Sequence, residues 1–137
     1  MNDPYVDTDV IIRLLTGDDL NKQAAAAHLF EQVEAGVLTV AAPDTVIADA
    51  VFVLSSPRLY RRPRAEVAAL LIALVRLPHF HVQHRRNVLR ALELYGATNL
   101  DFGDVMIAAA MEETQSPFVY SYDADFDRLS GIERREP

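Results

Sequence analysis

The chain contains no cysteine, which excludes a disulfide framework and any thiolate metal site. That absence fits a reducing compartment, and a cytoplasmic protein is expected. Lysine is almost missing as well: Lys22 is the only one, so arginine carries the basic side. The opening Met1-Asn2-Asp3-Pro4 has no basic segment followed by an apolar run, so no secretory signal is expected. Long hydrophobic runs are lacking too. The longest, Val67 to Val75, falls far short of the roughly 20 residues that span a bilayer. A soluble protein with no membrane partner is expected. Repeats, low-complexity tracts and linkers are also absent.

What is present is one domain's worth of chain, 137 residues of which 50% are hydrophobic. That supports a single domain over 1–137 with one substantial core. The net charge is −7, from 20 acidic and 13 basic residues. Such a balance lacks the basic footprint of most nucleic-acid binders. The arginines are grouped, however, with Arg58, Arg61, Arg62 and Arg64 in one cluster and Arg85, Arg86 and Arg90 in another. Either cluster could meet phosphate, with Arg13 beside them, or could pair with acids at a protein surface.

The pattern along the chain alternates strands and helices. Tyr5-Val6 leads as a strand into Asp7, followed by a short helix from Val10 to Leu15 that Gly17 stops. A helix from Leu20 to Ala35 is capped by Asp18 or Asp19 and ended by Gly36; Ala25, Leu29, Val33 and Ala26, Phe30 recur at i+4 as one buried face. Strands are predicted at Leu38–Ala41, Phe80–Val82, Phe118–Tyr122 and, as an edge, Ile132–Arg135. Helices are predicted from a start at Pro43-Asp44-Thr45 to Leu54, and from Pro63 to Leu77, Asn87 to Tyr95 and Phe102 to Glu113, with a short turn or helix from Ala124 to Leu129. This order implies an α/β fold, with a mostly parallel sheet covered on both faces. His79, His81 and His84 are close together but have neither helical nor zinc-module spacing, and no metal role is assigned to them.

Four aspartates carry the candidate chemistry. Asp7 and Asp123 each end a predicted strand, where open α/β sheets place ligands, although aspartate is also a common turn and cap residue. Asp49 interrupts Val46 to Leu54, a helix apolar on nearly every side. A buried carboxylate there needs a cation, an arginine or a metal. Asp101-Phe102-Gly103-Asp104 has capping-box spacing. Asp101 is read as the cap and Asp104, ahead of the apolar Val105 to Met111, as the functional group. Four carboxylates about 5 Å apart repel by roughly 3 kcal/mol per pair at an effective dielectric near 20, so a cation must offset them. All-oxygen ligands favour Mg²⁺ or Mn²⁺ over zinc. The chemistry such a site serves is metal-assisted attack of water on a phosphodiester.

Together these segments resemble the PIN-domain family, in particular the VapC-type toxin ribonucleases of toxin–antitoxin pairs. Val6-Asp7-Thr8-Asp9-Val10 is similar to the family's opening strand, and Ala48 to Leu54 to the helix carrying its second acid. Asp101 to Ala109 is similar to the third motif, and Ser121-Tyr122-Asp123-Ala124-Asp125-Phe126-Asp127 to the last. Asp9 stands where the family usually has Asn, and Asp49 where it usually has the longer Glu. The resemblance implies a three-layer α/β/α sandwich around a mostly parallel sheet of four or five strands. It implies a Mg²⁺- or Mn²⁺-dependent endoribonuclease, a homodimer and a small antitoxin partner. Asp7, Asp49, Asp104 and Asp123 would be its catalytic and metal-binding residues; roles for Asp9, Asp125 and Asp127 stay open. Two alternatives stand beside it. One is a catalytically silent PIN-like RNA- or protein-binding module. The other is a haloacid-dehalogenase-like phosphatase using Asp7-Thr8-Asp9, which also needs a lysine near the phosphate, and Lys22 comes early for that role.

Overall fold

Asp7 ends the first extended segment by capping the helix after it. Its backbone is extended, and a side-chain oxygen accepts from the Thr8 amide at 2.7 Å. Helix α1 (Thr8–Leu15) therefore begins at once. In this computed structural model, which describes residues 2–137, Asp19 caps α2 (Leu20–Glu34) in the same way, accepting from the Lys22 amide. Gly36 leaves α2 at φ +75°, a conformation that suits glycine. Ala26, Phe30 and Val33 form the buried stripe of α2, while Ala25 is exposed and Leu29 half-buried.

Strand β1 (Val40–Ala42) is followed by α3 (Asp44–Ser55) and α4 (Arg64–Val75), and β2 (Phe80–Val82) returns parallel to β1, pairing Val40 with Phe80 and Ala42 with Val82. One face of this pair, Val40, Ala42, Phe80 and Val82, is buried, and the Phe80 ring meets Phe30 edge to face at 5.6 Å. Helices α5 (Arg85–Ala97) and α6 (Phe102–Thr114) close the core with Val88, Leu92, Leu100 and Val105. Helices α4 and α5 approach closely at Gly96, where a Cβ would lie 3.0 Å from that of Ala68. The chain ends with β3 (Phe118–Tyr120), a 3-10 turn (Ala124–Arg128) and β4 (Glu133–Arg135), which runs parallel to β3.

The α/β class holds, but the expected sheet of four or five strands is not shown among the described residues. Two separate two-stranded parallel sheets are present, and Tyr5 adds a single parallel bridge to Ala41 at the edge of the first. Local chemistry accounts for so short a first strand. Val6 donates to Ala41 and Ala41 to Pro4, but Pro4 has no amide to extend the ladder backwards, and Asp7 starts a helix in front. No described helix is long and apolar enough to cross a membrane.

Candidate metal centre

Asp104 lies in the first turn of α6, whose buried side carries Phe102, Val105, Ala108, Ala109 and Met111. Asp101 occupies the N-cap position as expected, but its side chain makes no capping hydrogen bond. Asp104 is half-buried, and its Oδ2 is buried without a hydrogen-bond partner. Burial pushes its carboxyl above the ordinary aspartate value, and the nearby Asp123, Asp101 and Asp125 add to that rise. A helix N-terminus favours negative charge, but here desolvation and like charges outweigh it.

The other acids of the cluster come from the end of the second sheet. The Ser121 amide donates to the Arg135 carbonyl, carrying the β3–β4 pairing one residue beyond β3. The chain then bends, and Asp123 accepts from the Asp125 amide through Oδ1 at 2.9 Å while its own amide donates to Ser121 Oγ. This two-residue turn directs both carboxylates the same way, and Phe126, 2% exposed, seats the segment in the body of the protein. One oxygen from each of Asp104, Asp123 and Asp125 lies within 4.8 Å of the others, a group able to hold a metal ion. Asp127 is engaged instead by Arg134 at 3.1 Å.

The structure thus brings together two of the four expected acids, Asp104 and Asp123, and adds Asp125. The signal for Asp125 was its i+2 spacing from Asp123 across a turn. Asp7, exposed at the start of α1, is not in the group, although α1 packs on α3 and α3 on α6. Asp49 is also outside it, and its expected burial is not found. It lies on the solvent face of α3 with Thr45 and Phe52, the latter 71% exposed. Apolar neighbours made that helix look buried all round, but exposed apolar residues are common. Asp9 is exposed on α1.

Several arginines of the two clusters are occupied. Arg64 covers the Tyr95 ring at 3.7 Å and donates to the carbonyls of Tyr95 and Leu100. Arg85 donates to the carbonyls of Val75 and Leu77, taking up acceptors left open at the end of α4. Arg62 pairs with Glu66, Arg90 with Glu93 and Glu112, and Arg13 with Asp18. Arg61 donates to Pro57, which leaves Arg58 and Arg86 as the cluster members with no partner among the described residues.

The family model of the PIN domain matches residues 5–132, and the chain belongs to that family. Its members are typically nucleases that bind divalent metal, which places this protein with hydrolases acting on nucleic acid. No curated protein matches the chain. The acidic group fits a hard divalent ion on two counts: its donors are all carboxylate oxygens, and Asp104 presents a buried oxygen with nothing else to satisfy it.

Proposed function

We propose that this protein is a metal-dependent endoribonuclease that hydrolyses RNA phosphodiesters, and that it is the toxin of a VapBC-like toxin–antitoxin pair. The observation that carries the site is the convergence of Asp104, Asp123 and Asp125 around a buried carboxylate oxygen without a partner. Mg²⁺ or Mn²⁺ would be held by Asp104 and Asp123 with Asp125, and Asp7 and Asp49 would complete the acid set from α1 and α3. The bound ion would activate water and offset charge on the attacked phosphate.

The chain's own residues do the positioning. Asp104 is fixed in the first turn of a helix whose buried side anchors it. The turn from Asp123 to Asp125 sets the spacing of the other two acids, and partial burial of Asp104 strengthens its pull on a cation. A homodimer, a small antitoxin and a cytoplasmic location complete the reading; they rest on the resemblance of the four motifs. A second reading, a PIN-like module without turnover, draws on Asp7 being used as a helix cap outside the group.

Incubating purified protein with RNA, with and without Mn²⁺, separates the two. Cleavage that needs the ion and is lost in Asp104→Asn supports the nuclease. Intact RNA at millimolar Mn²⁺ leaves the silent module. Growth arrest on induced expression, followed by sequencing of RNA ends, tests the toxin role and locates the cut.

A further inference from the structure

Four of the protein's five tyrosines fall into two kinds; the fifth, Tyr5, is 74% exposed and bridges to Ala41 of the first sheet. Tyr60 and Tyr95 are at least partly buried, and their hydroxyls donate to Asp18 and Ser55. Tyr120 and Tyr122, by contrast, are 65% and 74% exposed, and neither hydroxyl has a side-chain partner among the described residues. Phe118, 38% exposed, precedes them at the start of β3. Phe118 and Tyr120 share the outer face of β3, alternating with half-buried Val119, and Tyr122 stands at the bend that delivers Asp123 to the acidic group. The guanidinium of Arg135, paired with Glu133, covers Phe118 at 3.8 Å, and the two tyrosine rings stay open.

We infer that Tyr120 and Tyr122 form a stacking track that holds single-stranded RNA and leads it into the Asp104–Asp123–Asp125 group; this rests on the nuclease reading above. Single exposed aromatics are ordinary. Three aromatics in five residues, ending at a metal-binding acid, are a different matter. Alternate strand residues lie about 7 Å apart, which separates Phe118 from Tyr120 along β3, and Tyr122 follows two residues further on at the bend, so each ring can take its own base. Base-on-ring stacking tolerates any sequence, since every base has a π face. It also supplies affinity without net positive charge, which this acidic chain lacks. Double-stranded RNA keeps its bases stacked inside the helix and is recognised by its shape and backbone, so the track would discriminate against it. Arg135 adds a planar cation on which a further base can stack.

The chain has no tryptophan and five tyrosines, so tyrosine emission includes the two track rings in wild type, while binding of every variant is followed by the anisotropy of an end-labelled oligomer. The test titrates wild type, Tyr120→Leu/Tyr122→Leu and Tyr120→Phe/Tyr122→Phe with a 12-mer oligouridylate in chelator. Cleavage of the same oligomer is then measured with Mn²⁺. Leucine keeps an apolar strand residue without a π face, and circular dichroism verifies the fold. Wild-type emission should be quenched on binding. The leucine pair should bind roughly tenfold or more weakly per ring, with KM raised far more than kcat is lowered, and the phenylalanine pair should bind within about twofold of wild type. Leucine variants that bind the oligomer normally overturn the track, whatever the nuclease assay shows. If they also change the sedimentation of the protein, these rings belong to a protein interface instead. Should wild type bind through the tyrosines but cut nothing with Mn²⁺, the track stands and the nuclease reading falls.

Discussion

The two sheets are alike in size and direction and opposite in situation. The β1–β2 pair buries Val40, Ala42, Phe80 and Val82 against helices on its inner face. The β3–β4 pair buries no residue fully, and Phe126, in the turn between its strands, is the one buried side chain from Glu112 to the end of the chain. Stability is therefore concentrated in the body, while two of the three clustered acids ride on a lightly seated segment. Asp104 belongs to the body and Asp123 with Asp125 to the segment, so the candidate centre lies across the seam. A site built this way can lose its geometry without loss of the fold.

The comparison can be broken first at Phe80. Phe80→Ala removes a fully buried ring and its edge contact with Phe30, and should cost about 3–5 kcal/mol in urea unfolding. A cost under about 1 kcal/mol would mean that the first sheet is not the stabilising one. Phe126→Ala should cost less globally, roughly 1–2 kcal/mol, because its segment can open locally. Wild type should gain melting temperature from bound Mn²⁺ by mass action; Phe126→Ala should abolish that gain and speed protease clipping after residue 117. Equal effects of the two alanines would erase the distinction between the regions.

Asp104→Asn sharpens the seam itself. The folded-state pKa of Asp104 is raised above its unfolded value, so between those two values the native state holds more protons than the unfolded state. Metal-free wild type should therefore lose stability as pH rises through that window, and regain it as pH falls. In chelator at neutral pH the Asn variant should be as stable as wild type or more so, by up to about 1 kcal/mol, the scale of a screened charge pair. It should lack wild type's loss of stability across the window and should gain nothing from Mn²⁺. Melting curves at several pH values check this, and a destabilised, metal-responsive variant would remove Asp104 from the centre. The smallest effect is expected at Asp49. Being exposed, Asp49→Asn should move metal-free stability by no more than about 0.5 kcal/mol, and a drop of roughly 2 kcal/mol or more, the scale of a buried-group defect, would contradict its solvent position.

Much of the architecture was legible because local signals and packing agree. Phe80–Val82 reads as a strand and is one, and Phe102 begins α6 just where Asp101 and the apolar run place it. The last motif was legible as a position, since Asp123 does lie beside Asp104. The failures share a cause: pattern shows what a residue is, not what competes for it. The expected first strand yields to a helix that its own terminal aspartate caps. Asp49 looked buried because its neighbours are apolar, yet Phe52 beside it faces water. Arg85 looked available to phosphate, and backbone carbonyls claim it.

The segment Phe118-Val119-Tyr120-Ser121-Tyr122, which begins with β3, has a further consequence, for self-association of misfolded chains. It is the kind of uncharged, aromatic, β-favouring window that seeds cross-β stacking when it is exposed. Pro117 before it and Asp123 after it act as gatekeepers at its ends, and β4 occupies one edge with its charged Glu133, Arg134 and Arg135. Pairing with so short and charged a strand leaves little flat edge for another chain to extend. Loss of the last residues of the chain would free that edge, and the shortened protein would be prone to aggregate even though its core was untouched.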